Sequence, residues 1–216
     1  MHYAERLRAL LTPGERRVLR AAATPQKIQD LLDTLPVNYE VTGETYMSVR
    51  RILATRRAHC FEGALLAAAA LAFHGERPLL MDFQTSPEDE DHVIALFTRG
   101  GHWGALSKTN HATLRYRDAV YRTPRELAMS YFHEYHLESG RKTLRAFSAP
   151  FDLSRYAPQR WLTAEGELDW LATALDTCRH FPALPKTTRR LLRKTSPVER
   201  RMLALTDWPD PRPVKK

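Results

Sequence analysis

The feature that most constrains the fold is the apolar run that follows Cys60. Residues 61–75 read FEGALLAAAALAFHG, and no charged residue lies between Glu62 and His74. Alanine and leucine have high intrinsic helix propensity, and a helix that is apolar on every side is stable only when other elements surround it. The run therefore predicts a buried central helix that starts near Cys60 and ends at Gly75.

This run is too short to cross a membrane, which takes about 20 consecutive apolar residues. The N-terminal residues are charged from Glu5 onward and lack the apolar centre of a secretory signal. We therefore expect a cytoplasmic protein with no membrane association. The chain has 216 residues, 43% of them hydrophobic, which is enough for one domain with a helical extension.

Helix-start signals divide the region before the central helix. Apolar residues recur at helical spacing over residues 3–22, and Thr12-Pro13 interrupts them. Thr24-Pro25 starts another helix, and Ser48 a short one. A threonine or serine cap followed by proline at the first helical position is typical of helix starts. Several helices are therefore predicted to precede the central one.

After the central helix the pattern changes to strands. The segments LLMDF, HVIALF and HWGALS are predicted strands, and the acidic loop TSPEDED separates the first two. A four-residue turn at TRGG pairs Phe97 with His102 and places His92 directly opposite Ser107. The sequence thus predicts an α+β fold in which the central helix packs on a small antiparallel sheet, with added N- and C-terminal helices.

The pattern beyond residue 120 is helical again. Thr123-Pro124 starts a predicted helix that continues to Gly140, and residues 142–156 are predicted to be irregular. Amphipathic, arginine-rich helices are predicted over 165–182 and 187–205. The predicted organisation is a main domain over 1–156, a basic helical extension over 157–209 and a flexible tail over 210–216.

The formal net charge of the chain is +8. Basic surfaces favour phosphate-bearing partners. Here the arginines are scattered, often beside acidic residues, and no aromatic-and-basic motif accompanies them. We therefore do not expect a nucleic-acid partner, and the basic C-terminal helices are a candidate surface for a protein partner.

Cys60 and Cys178 are far apart and offer neither a metal-binding spacing nor a disulfide framework. Cys60 begins the central helix, where unpaired backbone N–H groups and the helix dipole lower the pKa of a thiol. The thiolate is the nucleophilic form. A free cysteine is more often a small buried apolar residue, so a candidate nucleophile at Cys60 also needs a base.

His92 is the candidate base, because it begins a strand directly after an acidic loop, where functional residues often lie. A partner across the hairpin would fix its tautomer and direct the other ring nitrogen at the thiol. A metal site is the rival interpretation, but His133 and His136 in FHEYH are three residues apart, not four as in HExxH. No metal or cofactor is expected.

The order of these residues resembles the core of the transglutaminase-like superfamily, which has a papain-like fold. Over residues 24–125, a cysteine starts a helix within AHCFEGA, and the apolar helix ends at Gly75. A strand, an acidic loop, a strand-start histidine and a return strand with a tryptophan follow. The resemblance implies that Cys60 is the nucleophile and His92 the base in transfer or hydrolysis of an amide, ester or thioester.

The resemblance also implies an aspartate four residues after the tryptophan of the return strand. Ser107 occupies that position, four residues after Trp103. A serine hydroxyl can orient the imidazole but brings no negative charge, so it stabilises an imidazolium less than a carboxylate does. Asn110 is the second candidate for this role, since the related papain group uses asparagine there.

Four further residues are candidates for substrate binding. The resemblance implies that Trp103 walls the site. Glu62, in the first turn of the central helix, could meet a substrate amine or simply the helix dipole. Lys108 and His111 belong to the polar segment SKTNHATLRYRD, which is either a grip for a carboxylate-bearing substrate or an exposed loop.

Two functions of different classes follow from these residues. One is a cysteine enzyme acting on a peptide or small acyl substrate. The other is a catalytically retired binding protein that uses the same pocket for a ligand or partner. An enzyme needs a depressed pKa and a reactive thiol at Cys60, whereas a binding protein does not.

Overall fold

The predicted helix starts before the central helix are confirmed in the computed structural model, which describes residues 2–41 and 43–211. The side chains of Thr12, Thr24 and Ser48 each accept a hydrogen bond from the backbone N–H three residues later. These caps satisfy amide groups that have no partner inside the helix. The helices are α1 (Tyr3–Leu10), α2 (Pro13–Ala21), α3 (Pro25–Asp33) and α4 (Val49–Thr55).

The central helix, α5 (Cys60–Phe73), is buried from its second residue to its last. Helices α1 to α4 surround one side of it, and a sheet covers the other. Burial of each leucine side chain contributes about 2 kcal/mol. Gly75 ends the helix with a φ of 90°, a conformation that residues with side chains rarely adopt. Within the described ranges, no helix is both long and apolar enough to span a bilayer.

The strands of the described chain form one sheet in which every pairing is antiparallel. Its order is β4-β3-β2-β1-β5-β7, and β6 pairs with β1. The prediction of an α+β fold with an antiparallel sheet is confirmed. The strands are β1 (Leu79–Gln84), β2 (His92–Arg99), β3 (His102–Ser107), β4 (Arg117–Tyr121), β5 (Ala146–Ser148), β6 (Phe151–Asp152) and β7 (His180–Pro182).

The predicted register of the β2–β3 hairpin is wrong by two residues. The turn consists of Gly100 and Gly101 alone, with φ angles of 57° and 78°, which is the geometry that a two-residue hairpin favours. Ile94, not His92, therefore lies opposite Ser107. A shift of two residues keeps each side chain on its original face, so His92 and Ser107 remain diagonal neighbours.

The helix predicted between residue 123 and Gly140 is also too long. The observed α6 (Pro124–Ser130) ends where the chain turns to bury aromatic residues. The rings of Tyr131 and Tyr135 pack against Phe83 on the sheet face opposite α5. This burial outweighs local helix propensity.

The two long arginine-rich helices predicted over 165–182 and 187–205 are wrong. The first region forms α8 (Asp169–Asp176) and then β7, because the free edge of β5 offers hydrogen-bond partners. In the second, α9 (Pro197–Arg200) lies between two short 3₁₀ turns. A further short helix, α7 (Gln159–Leu162), precedes them.

Residues predicted to form a separate basic extension take part in the main core. Trp161 in α7 is fully buried in the cluster that surrounds α5, and β7 belongs to the main sheet. Residues 142–156, predicted to be irregular, contain β5 and β6. The predicted flexible tail lies, from residue 212 onward, outside the described residues.

Candidate active site

Three elements bring the predicted site residues to the same end of the sheet. Cys60 is the first residue of α5, His92 the first residue of β2, and Ser107 the last residue of β3. Because β2 and β3 are antiparallel, the start of one lies beside the end of the other. Cys60 is half-buried, whereas His92 and Ser107 are 6% and 1% exposed.

The Cys60 thiol contacts two imidazole rings. The side chains of both His59 and His92 lie close enough to the sulfur to act on its pKa. Burial raises the pKa of the thiol, but the hydrogen bonds and the charges of these two histidines lower it further, so that the pKa lies well below its ordinary value. The position at a helix N-terminus acts in the same direction. These contacts therefore favour the thiolate form of Cys60.

A chain of hydrogen bonds fixes the tautomer of His92. The Ser107 Oγ atom lies 2.8 Å from His92 Nε2 and 2.5 Å from the carbonyl oxygen of Leu114. A carbonyl can only accept, so Ser107 donates its one proton to Leu114 and accepts from His92. His92 thus carries a proton on Nε2, which leaves Nδ1 to face the thiol. The alternative partner, Asn110, makes no such contact.

The Leu114 carbonyl is itself held in place by a strained segment. Leu114 has a φ of 59°, in the left-handed region that costs a residue with a branched side chain on the order of 1 kcal/mol or more. Its backbone N–H donates to Glu134 Oε2 at 2.6 Å, and Glu134 forms an ion pair with Arg117. An acidic residue therefore supports His92 indirectly, through the backbone of Leu114 and the hydroxyl of Ser107.

Gln29 in α3 fixes the end of β3 where Ser107 lies. Its Nε2 donates to the Ser107 carbonyl at 2.9 Å, and the Ser107 backbone N–H donates to its Oε1 at 3.1 Å. Gln29 is 8% exposed, so both bonds are protected from water. The side chain thus takes the place of a strand partner on the side of β3 where pairing with β4 has ended at Ala105. Nothing in the local sequence around Gln29 indicates this contact.

His59 is a site residue that the sequence interpretation missed. Its Nε2 lies 2.7 Å from the Thr45 carbonyl, so this nitrogen carries a proton. Burial lowers the pKa of His59, but the Cys60 thiolate, the Glu62 carboxylate and the Thr45 carbonyl raise it to about 9. His59 is therefore an imidazolium at neutral pH. The signal was its place directly before the cysteine, at the N-cap of the helix.

Glu62 lies behind the site and is fully buried. Its carboxylate accepts hydrogen bonds from the Asn38 and Thr45 side chains at 3.1 Å. It also accepts from the backbone N–H groups of Met47 and His59 at 3.2 and 3.0 Å. Such bonds are what a buried carboxylate requires. The structure therefore places Glu62 where it positions His59 and the loop before α4, rather than where a substrate amine could reach it.

The cations of the polar segment after β3 are engaged elsewhere. Lys108 Nζ lies 2.5 Å from the Leu35 carbonyl, and its stem crosses Gly63, where a Cβ would be only 2.2 Å from the Lys108 Cβ. His111 contacts the Leu203 carbonyl through Nδ1 at 2.9 Å. Arg115 forms an ion pair with Asp207. These contacts do not support the predicted grip on an anionic substrate.

Trp103 lies away from the cavity. It pairs with Thr98, near the hairpin turn, and packs with the apolar cluster on the face opposite α5. Ser107 lies four positions further along β3, a distance of about 13 Å along an extended strand. The wall of the site that the resemblance implied for Trp103 is formed by other residues.

A C-terminal strap, residues 203–210, closes part of the cavity instead. The Trp208 backbone N–H donates to Asn110 Oδ1 at 2.9 Å, and Asn110 Nδ2 donates back to the Trp208 carbonyl at 3.0 Å. Tyr39 donates to the same carbonyl at 2.6 Å. Asn110 thus anchors the strap. The backbone of Trp208 is held in place by these three hydrogen bonds.

The cavity above Cys60 has a volume of about 400 Å³. Cys60, His59 and His92 line it together with Tyr135, the acidic loop between β1 and β2, and the strap. Tyr135 is 3% exposed, and its hydroxyl has no hydrogen-bond partner among the described residues. Burial and then the charge of the Cys60 thiolate raise the pKa of Tyr135 well above its ordinary value. Its hydroxyl is therefore a permanent, unused donor.

The described residues contain no group of three or more histidine, cysteine, aspartate or glutamate side chains arranged to hold a metal ion. His133 and His136 lie beyond the end of α6 and do not share a helix face. Comparison of the sequence with models of known protein families finds no match, and comparison with curated proteins finds none either. The functional argument therefore depends on the geometry of the site.

Proposed function

We propose that this protein is a cysteine-dependent hydrolase or acyltransferase with a papain-like, transglutaminase-like core, in which Cys60 is the nucleophile and His92 the general base. The observation that carries the proposal is the contact of a helix-start thiol with His92, whose tautomer is fixed by Ser107. A nucleophile, a base and a residue that orients the base are the parts that such chemistry requires.

In the proposed reaction, the Cys60 thiol gives its proton to His92 Nδ1, and the resulting thiolate attacks the carbonyl carbon of an amide, ester or thioester. The bond to the leaving group breaks as His92 delivers a proton to that group, and an acyl-enzyme thioester remains. Water or an amine then attacks the thioester while His92 accepts the incoming proton. The product leaves and the thiolate is regenerated.

Two hydrogen-bond donors are available for the oxyanion of each tetrahedral intermediate. The backbone N–H of Cys60 belongs to the first turn of α5, where amides have no helical partner. The unpartnered Tyr135 hydroxyl, in the same cavity, is the second. Loss of one such donor typically lowers kcat about 100-fold or more.

His59 makes up for the charge that Ser107, which replaces an aspartate as the partner of His92, does not supply. Ser107 stabilises an imidazolium less than aspartate would. His59, itself positively charged, contributes a second cation directly beside Cys60. In this proposal His59 keeps the thiolate ionised, which leaves His92 free to move protons.

A catalytically retired binding protein is the alternative, and Ser107 in place of an acid is the observation that favours it. The depressed pKa of Cys60 favours the enzyme, because a ligand pocket gains nothing from an ionised thiol.

The deciding experiment is the pH dependence of Cys60 alkylation by iodoacetamide, with Cys178 replaced by serine. We expect rapid alkylation well below pH 8 that is slowed in His92→Ala. An ordinary thiol profile that the His92→Ala change leaves untouched would support the binding protein instead. Circular dichroism of each variant serves as the control for folding.

A further inference from the structure

The cavity has the opposite charge to the chain that forms it. The chain carries a net charge of +8. Its cavity, by contrast, is rich in carboxylates, and the one lysine among its described lining residues, Lys108, directs its ammonium to the Leu35 carbonyl. The acidic residues that line the cavity are Glu40, Asp89, Glu90, Asp91, Glu134 and Asp210.

Three of these carboxylates lie together on the loop between β1 and β2. Asp89, Glu90 and Asp91 form no ion pair with any described residue. Glu88, on the same loop, differs, since it pairs with Arg141 at 2.9 Å and does not line the cavity. These three carboxylates are therefore not paired with a cation, although Thr143 and Thr85 donate hydrogen bonds to Asp89 and Asp91. Even with His59 in its lining, the cavity has an excess of negative charge, which attracts ligands of the opposite sign.

An independent observation indicates that a ligand completes this cavity. The Tyr135 hydroxyl is buried and lacks a partner within the described structure. Buried hydroxyl groups are nearly always hydrogen-bonded, because leaving one unpaired costs about 1–3 kcal/mol. A carbonyl oxygen of a molecule that enters the cavity would satisfy it. The occupant therefore has a carbonyl for Tyr135 and faces uncompensated carboxylates.

Resting on the proposed function, we propose that the acyl donor is a peptide or ester with a cationic side chain, arginine or lysine, next to the reacting carbonyl. Asp89, Glu90 and Asp91 receive the cation, while Cys60 and Tyr135 receive the carbonyl. Selectivity for basic substrates would then come from the loop directly before the base.

The cation serves recognition and is not the acyl acceptor. Carboxylates stabilise the protonated form of a nearby amine and raise its pKa. A protonated amine has no lone pair and cannot attack the thioester. Water is therefore the acceptor that this cavity favours, and the reaction is hydrolysis.

Charged thiol reagents test the cavity without requiring turnover. Aminoethyl, methyl and sulfonatoethyl methanethiosulfonates are cationic, neutral and anionic, and each forms a disulfide with Cys60 while releasing methanesulfinate. In a Cys178→Ser background and at low ionic strength, the ratio of the cationic to the anionic rate should fall about 15-fold in Glu90→Gln/Asp91→Asn, as expected for two charges about 10 Å away in water. Both changes preserve shape, and Glu88→Gln is the matched control.

A ratio that stays unchanged in the double variant, or that changes equally in Glu88→Gln, would overturn the proposal. The ratio should also lose most of its dependence on the two carboxylates at 1 M salt, where the screening length falls to about 3 Å.

A pair of substrates separates this inference from the proposed function. Arginyl and citrullyl peptide thioesters have nearly the same shape, but only the first is charged. We expect kcat/KM to favour the arginyl substrate about tenfold, and the double variant to reduce that preference. Equal hydrolysis of both would overturn cation selection and leave the cysteine hydrolase intact. Hydrolysis of neither would overturn the hydrolase, and the thiosulfonate ratio would still decide cation selection.

Discussion

The two cysteines of this protein each have a histidine nearby, but their surroundings give the thiols opposite character. Cys60 begins α5, where the helix dipole favours an anion, and its pKa is lowered. Cys178 follows the end of α8, where the dipole disfavours an anion. Burial raises the pKa of Cys178, although a hydrogen bond with Ser148 opposes it.

The histidines beside the two thiols, His180 and His92, differ in whether a ring nitrogen is free to act as a base. Both ring nitrogens of His180 are occupied, Nδ1 by the Cys178 carbonyl at 2.8 Å and Nε2 by Asp82 at 2.9 Å. His92 uses only Nε2 for its orienting partner and has Nδ1 left for the thiol. The histidine that is paired with an aspartate, His180, thus has no free ring nitrogen to act as a base. Reactivity follows from the helix end and the free ring nitrogen, rather than from the presence of cysteine, histidine and aspartate.

The largest effect expected from this comparison is on alkylation rate. Near pH 6, an ionised Cys60 should react with iodoacetamide about 100-fold faster than Cys178, of which less than about 1% is thiolate at that pH. Mass spectrometry of the two cysteine peptides after timed labelling measures both rates in one sample. Comparable rates in the folded protein would remove the distinction. Unfolding in urea should make the two thiols react alike.

Placing an aspartate at position 107 tests whether the acid can simply be added to the Cys60 site. We expect Ser107→Asp to destabilise the protein by about 2 kcal/mol, because a carboxylate cannot donate to the Leu114 carbonyl 2.5 Å from the present hydroxyl. Urea unfolding measures this loss. Ser107→Ala, which removes the hydroxyl without adding charge, is the control. An Ser107→Asp variant more stable than Ser107→Ala would contradict the proton assignment.

The histidine beside each thiol can be removed in turn. His59→Asn should raise the pKa of Cys60, which moves the rise of its alkylation rate to higher pH. His180→Asn should leave the alkylation rate of Cys178 nearly unchanged, because His180 contacts the carbonyl of that residue and not its sulfur. Rate–pH profiles of both variants measure the pKa of Cys60 and the alkylation rate of Cys178. If the rate–pH profile of Cys60 in His59→Asn matched that of the wild-type protein, the lowered pKa would be assigned to His92 alone.

The second pair, Asp82 and His180, also affects the pH dependence of stability. Burial raises the pKa of Asp82 to about 6, although His180 opposes this. The folded protein therefore holds this proton more tightly than the unfolded chain, whose aspartates titrate near about 3.9. The stabilising contribution is complete below that value and is lost as pH rises through about 6. Asp82→Asn should abolish a decline of about 3 kcal/mol in the free energy of unfolding between these limits, measured by urea unfolding at each pH. If the free energy of unfolding of the variant fell with pH as it does in the wild-type protein, Asp82 would not be the group responsible.

Local signals in the sequence were enough to predict the helix starts and the apolar helix. Thr12, Thr24 and Ser48 act on amide groups three residues away, so their effect is contained in a short segment. The nearness of Cys60 and His92 was predicted from the order of helix and strands. The hairpin register was wrong, yet its error of an even number of residues preserved the contact between His92 and Ser107.

The remaining parts of the site depend on contacts between distant segments. Gln29 and Ser107 are 78 positions apart, and Asn110 and Trp208 are 98 apart. No local pattern distinguishes such a glutamine or asparagine from an ordinary surface residue. Tyr135 was missed because its segment was predicted to be helical, whereas aromatic burial ends α6 at Ser130. Helix propensity does not include the energy of packing on a sheet.

The two imidazole rings around Cys60 also bear on oxidation. A thiolate that is ionised at neutral pH reacts with peroxide to form a sulfenic acid, which a nearby second thiol can trap reversibly as a disulfide. Cys178, the only other cysteine in the sequence, does not line the cavity. A sulfenic acid at Cys60 would therefore depend on small-molecule thiols for rescue, and without them would pass to the irreversible sulfinic acid. The contacts that make the sulfur nucleophilic therefore also make the survival of the site dependent on the concentration of reducing thiols around the protein.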